Sequence, residues 1–170
     1  MDLKELIRVI PDFPKPGISF KDITTLLRQP AAYHQAIDEL ADKLKDLKVD
    51  VVVGPEARGF VVASALAYRL ETGLVPVRKS GKLPFETVKV EYNLEYGTDR
   101  LEMHSDAIQP GQRVVVADDL LATGGTIGAT INLVEQLGGK IVAAAFLIEL
   151  GYLRGRERLA DYNVVSLIEY

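Results

Sequence analysis

The 170-residue sequence contains no cysteine, which removes disulfides, thiol nucleophiles and cysteine metal sites together. A reducing compartment is compatible with that composition. Nowhere do the roughly 18 uncharged apolar residues of a membrane-spanning helix run together, and the opening MDLKELIRVIPDF mixes charged with apolar side chains where a secretory signal needs an apolar core. The expectation is a soluble, unprocessed, cytoplasmic chain with no membrane partner. Positive charge is not in excess either. Twenty Lys and Arg against 24 Asp and Glu give a net charge of −4, without the basic field of a general nucleic-acid binder. A local basic cluster can still hold an anionic ligand. Repeats, low-complexity runs and Ser/Gly linkers are missing as well, so a single domain over residues 1–170 is expected. With 48% hydrophobic and 26% charged residues the composition is ordinary for a globular protein.

What is present alternates between strand and helix patterns. Leu3, Leu6, Ile7 and Ile10 fall at helical spacing before Pro11 and predict a short N-terminal helix. Tyr33, Ala36, Ile37, Leu40, Ala41, Leu44 and Leu47 form a longer stripe at that spacing behind Pro30, which suits a first helical turn. VDVVVG (Val49 to Gly54), an apolar helix over about Gly59 to Leu70 and LVPVRK (Leu74 to Lys79) then read as a parallel crossover. Between Gly81 and His104, alternating TVKVEY, the turn NLEYG and DRLEMH predict two extended segments joined as a hairpin or flap. RVVVAD (Arg113 to Asp118) is a buried strand, Thr126 to Leu137 a helix and Lys140 to Leu150 another strand, with NVVSLIEY finishing the sheet. Continuous apolar strands of this kind belong in a parallel sheet covered on both faces, so the expected class is α/β with a central, mostly parallel twisted sheet flanked by helices.

The segment VVVADDLLATGGT, Val114 to Thr126, carries the chemistry. In an open parallel sheet, ligands bind beyond the carboxyl ends of the strands, and this strand delivers Asp118 and Asp119 there. Ala122, Thr123, Gly124, Gly125 and Thr126 then lead into a helix, whose unpaired N–H groups and positive dipole end suit a phosphate. The carboxylates accept hydrogen bonds only and therefore suit sugar hydroxyls. Together they describe a loop for a ribose phosphate. Neither G-x-x-x-x-G-K-[ST] nor G-x-G-x-x-G occurs, which removes support for a kinase or dinucleotide reading. His34 and His104 have no metal-ligand spacing.

The segment resembles the PRPP-binding signature of the type I phosphoribosyltransferases. DFPKPGISFKDIT (Asp12 to Thr24), GPEARGF (Gly54 to Phe60), VRKSGKLP (Val77 to Pro84) and LEYGTDRLEMH (Leu94 to His104) also fall in that family's order, and the first and last of these resemble its adenine enzymes. The resemblance implies the type I fold with a protruding β-hairpin flap and a short N-terminal base-binding segment. It implies that adenine and PRPP give AMP and pyrophosphate, with Mg²⁺ held mainly through PRPP, in a homodimer. On that basis Asp118 and Asp119 bind the ribose, and Ala122 to Thr126 the 5′-phosphate. Pyrophosphate falls to the Glu56–Ala57 peptide, often cis in this superfamily, and to Arg58, Arg78, Lys79 and Lys82. Phe20 stacks on adenine, with backbone groups near Ser19 reading its amine edge, and Lys21 stands where many relatives carry Arg. Glu95 is the implied proton acceptor, Tyr96 closes the flap, and Arg58 joins them in catalysis. Two alternatives stay open: another purine, hypoxanthine or xanthine, and a non-catalytic PRPP-sensing regulator of the same fold.

Overall fold

A computed structural model describes residues 1–94 and 97–170. Its centre is a seven-stranded sheet. In chain order the elements are β1 (Arg8–Ile10), β2 (Phe20–Asp22), α1 (Thr24–Leu27), α2 (Pro30–Leu44), β3 (Val51–Pro55), α3 (Arg58–Arg69) and β4 (Gly73–Lys79). Then come β5 (Thr87–Leu94), β6 (Gly97–His104), β7 (Arg113–Leu121), α4 (Gly125–Gln136), β8 (Lys140–Glu149) and β9 (Val164–Glu169). The strand order is β5-β6-β4-β3-β7-β8-β9. From β4 to β9 all neighbours run parallel, while β5 and β6 form the expected antiparallel hairpin on the β4 edge.

Alternation along the parallel strands sends successive side chains to opposite faces, so each face needs its own helical cover. Val52, Val115 and Ala117 pack with Leu40, Leu44, Val62 and Leu66 of α2 and α3. Val51, Val53, Val114 and Val116 pack with Ile127, Ile131 and Leu133 of α4 on the other face. In α2 the predicted stripe is the buried one, including Leu40 and Leu44 at 0% exposure, each contributing about 1.5–3 kcal/mol on burial.

The N-terminus corrects the sequence reading. Instead of a helix through Ile10 there is one 3-10 turn at Lys4–Leu6, followed by β1. The apolar spacing is satisfied by burying Leu3 and Ile7, while the backbone from Arg8 to Ile10 pairs with Asp22, Lys21 and Phe20. A ladder formed with residues twelve or so positions away overrides the local periodicity. A second difference lies in β7, which continues past Asp118 to Leu121. Its pairing with β3 stops at Val53–Val116, whereas its pairing with β8 carries on through Leu121–Glu149. Thus β7 outruns β3, and one flank of Asp118 and Asp119 is open beside the turn after Pro55.

After β8 the chain makes two 3-10 segments, Gly151–Leu153 and Gly155–Leu159, which the sequence patterns did not indicate. Leu159 is buried, and Arg156 is fastened to the sheet by a two-pronged contact with Glu149 that Ser166 shares. The Arg156 hydrogen bonds hold the Glu149 carboxyl below its ordinary pKa. Arg156→Ala should therefore lower unfolding free energy by about 1–2 kcal/mol at neutral pH, between exposed and buried pairs. For a depressed carboxylate that stabilisation exists above the unfolded pKa and disappears as pH falls through the folded one. Urea titrations of both proteins should show a difference at pH 7 that shrinks steadily in acid below about pH 4.

Candidate active site

Because β4, β3 and β7 are parallel neighbours, their carboxyl ends share one edge, and the turns that follow them converge. A cavity of about 400 Å³ opens there, lined by Glu56, Ala57, Arg58, Asp118, Asp119 and the run from Leu120 to Ile127. The structure thus unites the residues read as ribose and 5′-phosphate groups with Glu56, Ala57 and Arg58 of the pyrophosphate set at the ends of β3 and β7, while Arg78, Lys79 and Lys82 stand outside this lining at the end of β4.

Asp119 is buried, and its Oδ2 lies 3.0 Å from Arg58 Nε. The guanidinium N–H is not aimed at that oxygen, which has no hydrogen-bond partner among the described residues. A buried carboxylate oxygen with free lone pairs is a ready acceptor for a hydroxyl. Asp118 accepts the Asp119 backbone N–H at 2.8 Å. Burial raises the Asp118 carboxyl well above its ordinary range, and the Asp119 charge adds to the effect. Burial also raises Asp119, against the pull of Arg58.

Arg58 is the first residue of α3, directly after the Glu56–Ala57 peptide, which is cis. Its guanidinium carbon stands 4.9 Å from the centre of the Phe20 ring, and Nη1 donates to the Lys21 carbonyl at 3.4 Å. One side chain therefore ties the N-terminal segment to the ribose acids. Phe20 and Lys21 leave opposite sides of β2. The Lys21 ammonium donates to Ser19 Oγ at 2.9 Å and lies 4.2 Å from the centre of the Tyr170 ring. Its side chain is directed away from Arg58, leaving backbone groups and the Phe20 ring on the site's side.

The other predicted site cations, Arg78, Lys79 and Lys82, are each held by an acid. Glu56 accepts the Lys79 backbone N–H at 2.7 Å and the Lys82 ammonium at 2.9 Å, with Arg78 Nε at 3.4 Å. Burial pushes the Glu56 carboxyl upward, yet Lys82, the Lys79 N–H and Arg78 outweigh it and hold the carboxyl below its usual value. Lys79 pairs with Asp99 of the hairpin at 3.2 Å. Buried Glu102 accepts the Ser80 hydroxyl at 2.7 Å and the Gly81 N–H at 3.2 Å, anchoring the turn that presents Lys82. Glu95 and Tyr96 lie outside the described residues.

The loop before α4 is shaped by close approach. Gly124 has φ +84°, and a Cβ there would meet the Gly155 carbonyl oxygen at 2.9 Å; one on Gly155 would come within 2.2 Å of the Ala122 oxygen. α4 begins without a side-chain cap, so its first N–H groups have no side-chain partner there. Tyr92 of β5 faces this loop from the hairpin, within hydrogen-bond reach of Thr126 and Asp99. The alternation of Val88, Val90 and Tyr92 was the available signal for an inward Tyr92. For the Gly155–Leu159 segment no pattern in the sequence pointed to the site.

The phosphoribosyl transferase domain family matches residues 22–169. Adenine phosphoribosyltransferase of Brevibacillus brevis is 62% identical over 170 residues, with 100% of both chains covered. That of Alkaliphilus metalliredigens is 61% identical over 170 residues, again with 100% of each covered. Among solved structures, adenine phosphoribosyltransferase of Thermoanaerobacter pseudethanolicus has TM-score 0.97 at 56% identity, covering 99% of this chain and 98% of that one. The APRTase of Giardia lamblia complexed with 9-deazaadenine has TM-score 0.94 at 38% identity, covering 99% and 96%.

The raised carboxyl of Asp118 has a thermodynamic consequence. An acid whose pKa is higher folded than unfolded destabilises the fold at pH above the folded value, and this cost fades as pH falls toward the unfolded value near 3.8. Asparagine keeps an acceptor for the Asp119 N–H. Asp118→Asn is expected to raise Tm by about 2–4 °C at pH 8, the equivalent of about 1 kcal/mol, and by progressively less in melts at lower pH.

Proposed function

This chain belongs to the phosphoribosyltransferase family, among its adenine phosphoribosyltransferases, and from that premise we propose that it salvages adenine by transferring the 5-phosphoribosyl group of PRPP to it, yielding AMP and pyrophosphate. The observation that carries the reading is the join made by Arg58 between the Phe20 ring and buried Asp119, next to Asp118, at the mouth of an uncapped helix. A base, a ribose and a phosphate meet in that order along this line.

In the reaction a bond forms between a ring nitrogen of adenine and C1 of the ribose as the bond from C1 to pyrophosphate breaks. Positive charge develops on the sugar and negative charge on the leaving group. Asp118 and Asp119 accept the ribose hydroxyls and face the growing positive charge. The N–H groups and hydroxyls from Ala122 to Thr126 hold the 5′-phosphate. The Glu56–Ala57 peptide, Arg58, Arg78, Lys79 and Lys82 receive pyrophosphate, exchanging the carboxylates of Glu56, Asp99 and Asp119 for phosphate oxygens. Phe20 carries the adenine ring while backbone groups near Ser19 and Lys21 read its edge, a role favoured by the turning of the Lys21 ammonium toward Tyr170. Glu95 takes the proton that adenine loses, and Tyr96 closes over the ribose.

Mg²⁺ suits this donor set. It keeps several waters and binds through one or two carboxylates plus substrate phosphates, and the open Oδ2 of Asp119 beside Asp118 can meet its shell. When bound with PRPP it supplies neutralising charge for the departing pyrophosphate. The assembly we propose is a homodimer, supported by an apolar groove between α2 and α3 in which Tyr68 is 88% exposed. No helix among the described residues is long and apolar enough to cross a membrane, and a cytoplasmic setting would supply its highly charged co-substrate.

Asp118→Asn and Asp119→Asn should each weaken PRPP binding about 10- to 150-fold, the loss of a charge-assisted hydrogen bond, and adenine binding much less. Calorimetric titration of the folded variants checks this; unchanged PRPP affinity would remove the acids from the ribose subsite. Pyrophosphate release from PRPP and Mg²⁺ with a panel of purines tests the substrate. Adenine presents an N6 donor beside an N1 acceptor, and hypoxanthine reverses both polarities. Two unpaired buried groups cost at least about 2 kcal/mol, so adenine should lead by roughly 30-fold or more in kcat/KM. Equal turnover of hypoxanthine or guanine would overturn the adenine assignment and leave the phosphoribosyl transfer standing.

A further inference from the structure

Gly155–Leu159 lies directly on the loop that precedes α4, close enough that Gly155 admits no side chain against Ala122. Three arginines occur at alternate positions from residue 154 to 158. Arg154 Nη2 pairs with Glu157 at 2.5 Å, and Arg156 is engaged by Glu149 and Ser166. Arg158 is exposed and has neither an acidic partner nor a hydrogen bond among the described residues. In that it differs from Arg58, Arg78, Lys79 and Lys82, each of which already faces a carboxylate.

The direction of its side chain is informative. The stem runs along Gly124, where a Cβ would meet Arg158 Cβ at 3.4 Å and Cδ at 3.5 Å. The guanidinium then reaches Gly125. Arg158 Nη1 lies 3.8 Å from the point where a Gly125 Cβ would stand, and Thr123 Oγ1 and the Tyr92 ring each lie 3.9 Å from that same point. The missing side chain at Gly125 therefore leaves a nook bordered by an unneutralised guanidinium, a hydroxyl and the uncapped first turn of α4. A phosphate monoester dianion matches that border, because its oxygens accept from a guanidinium fork, a hydroxyl and backbone N–H groups together.

We propose that Arg158 is a further ligand of the 5′-phosphate, recognising the ribose 5-phosphate end shared by PRPP and AMP from outside the signature loop. The assignment rests on the phosphoribosyltransferase reading for the identity of its ligand. Its effect is on binding of the phosphorylated sugar, since the reacting C1 lies at the other end of the ribose.

The test compares AMP with adenosine on the unmodified protein, Arg158→Ala and Arg158→Lys, by calorimetry, alongside PRPP KM, kcat with adenine, and Tm. Arg158→Ala should raise the AMP Kd and the PRPP KM about tenfold, the lower end for a charge-assisted contact because the site is open to water. Adenosine affinity, kcat and Tm should stay unchanged, and Arg158→Lys, which keeps the charge without the fork, should recover only part of the AMP affinity. Unchanged AMP affinity in folded Arg158→Ala, or equal weakening of AMP and adenosine, overturns the assignment. Failure of the unmodified protein to form AMP from adenine and PRPP would instead strike the proposed function, while the AMP and adenosine titrations still decide the role of Arg158.

Discussion

Two adjacent carboxylates at the end of a buried strand are tolerated only with a counter-charge nearby, because removing ions from water costs several kcal/mol each. Arg58 meets that need for Asp118 and Asp119, and much of the site follows from where Arg58 must be. It stands at the first position of α3, so the turn after β3 is brought against the end of β7. The longer run of β7 past β3 leaves room for this contact. Because the same guanidinium also covers Phe20 and bonds the Lys21 carbonyl, the N-terminal segment is drawn to the same place.

A second constraint operates on the phosphate side. The loop from Ala122 to Gly125 is short and rich in backbone, and its shape is braced by Gly155 rather than by side chains of its own. That brace is in turn fastened to the sheet by Arg156, Glu149 and Ser166 and by buried Leu159. The path from β8 to β9 is therefore part of the site's architecture, bracing the loop through Gly155 and bringing Arg158 to its edge at Gly125.

The side of the site proposed for pyrophosphate holds its charges already paired. Glu56 and Asp99 hold Arg78, Lys79 and Lys82 in place without a ligand. Cations positioned beforehand would need little reorganisation if phosphate oxygens replaced the carboxylates as proposed, which is the condition for efficient electrostatic stabilisation. Glu102 extends this arrangement to the Ser80–Gly81 turn, tying β6 to the loop that carries Lys82.

Much of this was readable from residue order. The parallel sheet followed from continuous apolar strands separated by amphipathic helices, and the site from Asp118, Asp119 and the Thr-Gly-Gly-Thr turn, because those patterns depend on neighbours within one element. Pairings between distant elements could not be read that way. The spacing of Leu3, Leu6, Ile7 and Ile10 suits a helix, yet Arg8–Ile10 became a strand once Phe20–Asp22 offered a ladder. Likewise Lys21 sits beside Phe20 in sequence, but strand alternation and the Tyr170 ring turn it away. The chain by itself determined which residues could bury, turn or carry charge. Only the tertiary structure decided which of them meet, placing Arg58 between Phe20 and Asp119 and Arg158 beside Gly125, because contacts across such sequence distances depend on the packing of whole elements.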